Sequence, residues 1–388
     1  MKVTVVVRFL PPVIDAVGAY AYHLSYALAK RSVQVTLVTS AGQNTLTEHP
    51  LIQVRPAVRN WGWLGVGRLL AIIHKGHPDV VSFQYVPHLY GRYGINFGAA
   101  VLPLLLRLGL GTTVVTTYHE LPGRPPCSVK GILYGIASTV QTALIVFGST
   151  KVVVPVERQG EILRRQYPWA ARRIVRIPVG SNIPVHPLKK DAPAHHPPGP
   201  FVLGTFGSGH PWLQYETALH ILRGLLDSNF QVRLFCIGNI EENNPGYYRR
   251  LRQLASVLNL SGFIEWTGPL PPLEVSRRLQ SVDVFLALHQ TGITARSTAV
   301  AAAMAHALPI VTTKGPDADQ WLLESGTFIF IDTNDLSGAV GVVAAFLKDA
   351  ASRKEYGRRA LALYQKQLSW EEVGKRFLNE ISSSCEFC

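Results

Sequence analysis

The sequence predicts an α/β protein of two domains, each a parallel sheet covered by helices, and three observations carry that expectation. Short β-branched runs alternate with helical segments along the whole chain, the order that builds parallel sheets buried on both faces. A stretch dense in proline and charge, HPLKKDAPAHHPPGP over 186–200, has no apolar period and interrupts that alternation near the middle. At 388 residues the chain exceeds what one compact core usually supports, so each half is expected to bury its own.

The first half opens on MKVTVVVRFLPPV, a short apolar run with no small-residue cleavage site behind it, which reads as a strand over Met1 to Phe9 rather than a secretory signal. Apolar residues at Tyr20, Leu24, Ala27 and Leu28 then fit one face of a helix ending near Lys30, and Val33 to Thr39 alternates as the next strand. Gly18 lies at the entry to that helix, where a missing side chain permits close approach of a ligand or simply a turn. Further strands are expected at Asp79 to Gln84, Thr112 to Thr117, Lys151 to Pro155 and Arg173 to Ile177. Ligands of such sheets bind beyond the carboxyl ends of the strands, where Tyr118, His119 and Glu120 fall. His119 at that edge either positions a polar substrate group or sits in a structural polar network.

Between Lys130 and Lys151 the chain carries 20 uncharged residues, a bilayer-spanning length. Ser138, Thr139, Gln141 and Thr142 interrupt the run and it feeds directly into a strand, so a buried or interfacial helix is expected. Arg158 to Arg173 sets five arginines around Tyr167 and Trp169, which suits either an anionic membrane surface or a solvated helix face.

The connection over 186–200 includes His195 and His196, which have no carboxylate or cysteine cluster beside them and read as linker. The order then repeats: a strand over Phe201 to Phe206, a glycine turn at Gly207, Ser208 and Gly209, a helix from about Gln214 to Leu226, and strands at Gln231 to Ile237, ending in Gly238, and Phe263 to Trp266. Both halves are thus expected to be Rossmann-like. Ala287 to Gly315 organises the second one. A strand over Asp283 to Leu288 enters a loop of small residues containing Gly292, Ile293, Thr294 and Arg296, then an Ala-rich helix capped at Ser297 or Thr298, then a strand over Pro309 to Thr313. A helix start preceded by arginine is an anion site, because its unpaired amides and positive dipole end face the phosphate that the guanidinium grips. A nucleotide diphosphate is the expected occupant.

The formal charge of +13 is unevenly placed: through Lys190, 21 Lys and Arg face 6 Asp and Glu, and beyond it 17 face 19. The basic half is either a soluble face or one that attracts lipid headgroups, nucleic acid or phosphorylated substrates. Nucleic acid is not expected, since there is no finger spacing, aromatic RNA platform or basic repeat. Four scattered cysteines do not make a disulfide scaffold, which favours a reducing, cytoplasmic compartment, and the CEFC pair of Cys385 and Cys388 reads as an inert tail.

From DAVGAYAYHLSYALAKRSVQVTLVT through HPDVV, TTYHEL, IPVGSN, GTFGSG, WTGPL, DVFLAL and AAAMAHALPIVTT to SWEEV, the chain resembles the family 4 glycosyltransferases over nearly its whole length. That resemblance implies the GT-B architecture, two Rossmann-like domains with parallel sheets facing each other across a cleft. It implies an acceptor-side domain at 1–185, a linker at 186–200, a nucleotide-sugar domain at 201–368 and a last helix over 369–388 returning to the first domain. It implies transfer of a sugar from a nucleotide sugar to a glycan or lipid-linked acceptor, with retention and with neither cofactor nor metal. Peripheral contact of the basic half with the inner face of a membrane fits the same picture. His119 matches the active-site histidine that contacts the donor sugar, and Gly18 the glycine that lets the first loop approach the diphosphate; Gly207, Gly238, Gly292, Ile293, Thr294, Arg296, Ser297 and Thr298 are the further donor-binding candidates, and Asp15 and Glu120 are acceptor-side candidates. The only DxD pair, Asp317 and Asp319, follows KGP and reads as surface turn chemistry. Where the family places two glutamates eight positions apart, this chain has Thr294 and Ala302, and the usual Arg and Lys pair is missing from GSGHPWLQYE. The departures leave two readings: a divergent transferase in which Arg296 takes over phosphate binding, or a sugar-nucleotide-binding partner without turnover.

Overall fold

The computed structural model describes residues 1–42, 47, 49–123, 127–186 and 199–385. Residues 187–198 of the expected connection, with His195 and His196, and Cys388 of the tail lie outside them. The chain divides into two compact units, Met1–Pro178 with Trp370–Cys388, and Val179–Ser369.

The first unit holds seven strands: β1 Lys2–Val6, β2 Gln34–Ser40, β3 Ile52–Val58, β4 Val80–Tyr85, β5 Thr113–Tyr118, β6 Lys151–Val154 and β7 Ile174–Arg176. They pair in the order β3-β2-β1-β4-β5-β6-β7, all parallel. The second unit holds β8 Phe201–Phe206, β9 Val232–Ile237, β10 Ile264–Trp266, β11 Val284–Ala287, β12 Ile310–Thr313 and β13 Ile329–Ile331. Their order is β10-β9-β8-β11-β12-β13, again all parallel. In both sheets the chain works outward from the first strand to one edge and then restarts beside it, so a switch point opens between β1 and β4 and another between β8 and β11. Loops at such points splay apart and leave room for a ligand.

Central strands are Val- and Ile-rich because helices cover both faces: every residue of β4 is buried, as is every residue of β11 and β12. β3 and β13 are strands the sequence pattern does not reveal, and both lie at sheet edges. β3, IQVRPAV, is half-exposed and contains Pro56, which an edge strand tolerates; β13 is only three residues long.

The last helix, Trp370–Cys385, packs in the first unit against the helix Ala16–Ala29. Trp370 stacks on His23 at 5.2 Å, Gly374 fits against Ala27, and Lys151 pairs with Glu380 at 3.0 Å. The returning helix expected from SWEEV is therefore present and belongs to the first core.

Candidate active site

The loop between β11 and the helix Thr298–Ala305 occupies the switch point of the second sheet. Ser297 caps the helix, its Oγ accepting from Val300 N at 3.3 Å. That satisfies one first-turn amide and leaves those of Thr298 and Ala299, which no helical carbonyl reaches. Ile293 and Ala295 are buried and anchor the loop, whereas Arg296 is exposed between them and the helix. The loop is tied to its neighbours: Gln290 N donates to Trp212 O at 2.8 Å in the segment after β8, and Gly292, with φ of +91°, turns against Gly315 so closely that a Cβ would lie 2.6 Å from Gly315 N. On the same strand ends Gly207 N donates to Ile237 O at 3.1 Å and Gly238 N to Thr267 Oγ1 at 3.2 Å. One edge of the second sheet thus gathers Gly207, Gly238, Gly292, Ile293, Thr294, Arg296, Ser297 and Thr298.

Asp319 corrects the reading of the DxD pair as surface turn chemistry. Its side chain is 1% exposed, its Oδ2 accepts from Ala295 N at 2.6 Å, and its own amide donates to Ile293 O at 3.0 Å. Asp317 is half-buried, and its amide donates to Thr291 O at 2.9 Å. The segment after β12 is a strut for the Arg296 loop, and among the described residues no three His, Cys, Asp or Glu gather as a metal site. Ala302, at the second position where the family carries a glutamate, has no exposed surface and lies inside the helix.

In the first unit His119 follows β5 and is 8% exposed. Its Nε2 donates to Gln84 Oε1 at 2.9 Å, Gln84 in turn donates to Ser82 Oγ at 2.8 Å, and the ring meets Tyr20 edge-on at 4.7 Å. Tyr20 also touches Trp370 at 5.4 Å, so the returning helix buttresses the ring that holds His119. Glu120 is exposed beside it. Asp15 caps the helix Ala16–Ala29 by accepting from Gly18 N at 2.6 Å; burial, opposed by the amides of Gly18 and Val17, holds its carboxyl above the ordinary value. Gly18 lies inside the first helical turn, and a Cβ there would meet Phe9 O at 2.5 Å. The glycine makes room for the chain's own loop after β1.

Residues 17–183 match the family model Glycosyltransferase Family 4, and residues 200–349 match the model Glycosyl transferases group 1. The chain is built of these two glycosyltransferase domains. No curated protein matches it in sequence. Solved structures share the fold over essentially the whole chain. Sucrose-phosphate synthase from Thermosynechococcus elongatus has a TM-score of 0.74 at 14% identity, covering 100% of both chains. A glycosyltransferase from Rickettsia africae has a TM-score of 0.71 at 13% identity, covering 99% of this chain and 98% of that one. HepE from Anabaena has a TM-score of 0.69 at 15% identity, covering 99% of this chain and 100% of that one. The fold is the GT-B fold.

Each unit also holds a group that sequence reasoning missed. Gln84 is a fully buried polar residue in β4, and its residue type in the run VVSFQY was the available signal. His289, just past β11, is the other. Burial, and then the charge of Arg296, hold its imidazole down at about 4, so at neutral pH it is uncharged beside the guanidinium. His23 is likewise held at about 4 by burial, and His306 is lowered by burial. The sign follows from linkage. Unfolding frees these imidazoles to titrate near their ordinary 6.5, so between pH 6.5 and 4 the unfolded chain binds protons that the fold refuses. Acid unfolding is expected to begin as pH falls through that window, at a cost on the order of 3 kcal/mol each for His23 and His289. Urea midpoints measured from pH 7.5 to 4 check this; His23→Gln should flatten the slope, and an unchanged slope counts against it.

Proposed function

We propose that this glycosyltransferase moves a sugar from a nucleotide-diphosphate sugar to a glycan or lipid-linked acceptor, retaining anomeric configuration and using neither metal nor cofactor. The observation that carries the reading is Arg296 at the capped start of the helix Thr298–Ala305, on the switch-point edge of the second sheet. Arg296 and the free first-turn amides offer the charge that a departing diphosphate needs. His119, held by Gln84 and Tyr20, is the group for the donor sugar, and Asp15 and Glu120 lie on the acceptor side. In a front-face displacement the acceptor hydroxyl oxygen bonds to C1 as the C1–O bond to the β-phosphate breaks, and the hydroxyl proton passes to the leaving phosphate oxygen.

Known neighbours support the donor class: HepE has been solved with UDP and glucose and with UDP-glucose. They also support the acceptor class, since WaaG is involved in lipopolysaccharide biosynthesis and WaaB is a lipopolysaccharide outer core galactosyltransferase. A cytoplasmic enzyme working at the inner face of a membrane fits the basic first half.

A second reading rests on Thr294 and Ala302. With no carboxylate at either position, the site binds a sugar nucleotide as a partner protein and does not turn it over. Thermal-shift measurements with UDP, GDP, TDP and ADP, followed by their sugars, separate the readings. One nucleotide series is expected to raise the melting temperature, and its sugar to be hydrolysed slowly by the pure protein. Binding without hydrolysis or transfer favours the second reading, and no shift with any diphosphate sinks both.

A further inference from the structure

Helix Val129–Gly148 in the first unit exposes an apolar stripe in addition to the face it buries. Val129, Ile132, Leu133, Ile136, Val140 and Phe147 fall on one stripe at helical spacing and are 46–76% exposed. The buried side carries Ser138, Gln141 and Thr142 together with Ile145 and Val146, which enter the core. Gln141 accepts from Asn96 N and donates to Gly94 O, and Thr142 bonds Tyr118 OH at 3.1 Å and Ser138 O at 2.8 Å. A contiguous apolar stripe of this kind on a monomer marks a contact surface.

By length and composition the helix reaches the standard of a bilayer span: it has 20 residues, with a mean hydropathy of 1.5 over 18 of them. It does not cross, because the hydrogen bonds of its inner face tie it to the unit, it packs along the helix Phe97–Leu110, and it leads directly into β6. It is therefore placed to lie flat on an apolar partner.

The charge around it selects that partner. Between Asp79 and Glu157 the only acidic residue is Glu120. Beside the end of the helix, Phe147 meets the half-exposed Trp169 at 5.9 Å, and Arg107 donates to Phe147 O at 3.1 Å. Arg107 is near enough to Arg173 that its charge, after burial, lowers that guanidinium's proton affinity. Lys130 and Arg172 are exposed. A second copy of the chain meeting this face across a two-fold axis would set like charges against each other. An anionic bilayer complements both parts, with headgroup phosphates for the cations, a headgroup-level position for Trp169, and acyl chains for the stripe.

We propose that this glycosyltransferase seats on anionic membranes through the outer face of helix Val129–Gly148, the helix lying in the interface plane. The inference stands apart from the transfer reading, and its test uses no donor or acceptor. The full-length protein is floated with vesicles of phosphatidylcholine alone and of phosphatidylcholine with phosphatidylglycerol. Binding is expected to the anionic vesicles and to fall with salt. The triple variant Ile132→Gln, Leu133→Gln, Ile136→Gln should lower partition about 100-fold at an unchanged melting temperature. Lys130→Gln with Arg172→Gln should lower it about 10-fold and flatten the salt dependence. Three results overturn the proposal: equal binding to neutral and anionic vesicles, a triple variant that floats like the parent, or a parent dimer that the triple variant dissolves without any vesicle binding.

Discussion

Arg296→Ala is expected to lower kcat/KM for sugar transfer about 100-fold, most of it in kcat. Negative charge builds on the diphosphate as the bond to the sugar breaks, so a guanidinium aimed at those oxygens is worth more in the transition state than in the bound donor. The free amides at Thr298 and Ala299 remain after the substitution, which is why a residual rate should persist. Arg296→Lys keeps a charge but loses the planar fork and should fall between the two. Arg296 is exposed, so the melting temperature should scarcely move. A second readout lies next door. The charge of Arg296 contributes, after burial, to holding His289 at about 4, so in the alanine variant the His289 imidazole should titrate at higher pH by NMR while remaining below 6.5. An unaltered transfer rate, measured with radiolabelled donor, would place the phosphate cradle elsewhere.

The parts of this glycosyltransferase that could be read from the sequence are those in which local pattern and tertiary role agree. Central strands such as β4, β5 and β8 are runs of β-branched and aromatic residues because helices bury both faces, so the pattern and the burial report one fact. β3 and β13 escape because an edge strand is half-solvated or very short, and Pro56 in β3 argues locally against the pairing it makes. The Ser297 cap and the exposed Arg296 are local chemistry, visible as a helix start. Asp319 is not, because its partner Ala295 lies 24 positions earlier and KGPDAD in isolation has the composition of a turn. Gly18 shows the same limit. The residue type signals a close approach, but only the folded chain shows that the Phe9 carbonyl makes it.

That hidden contact carries the second large effect. Asp319→Ala should destabilise the protein by about 3 kcal/mol, because it leaves the buried Ala295 amide without its acceptor and opens a small void where the carboxylate was. For a unit of this size the melting temperature should fall roughly 6–12 °C. Activity should fall as well, by about 10-fold in kcat, since Arg296 is the next residue after Ala295 and the clamp sets where its guanidinium starts. Asp319→Asn keeps a carbonyl oxygen for the amide and should recover part of both losses. Asp317→Ala is the comparison: Asp317 is half-buried where Asp319 is 1% exposed, and its amide bond to Thr291 O survives in alanine, so a smaller shift is expected. The pair also discriminates a strut from a metal ligand. If the aspartates held a catalytic cation, both variants would lose activity at the parent's melting temperature and addition of Mn²⁺ or Mg²⁺ would change the parent's rate. If Asp319 is a strut, stability and rate fall together in Asp319→Ala, and low temperature restores part of the rate by repopulating the folded loop.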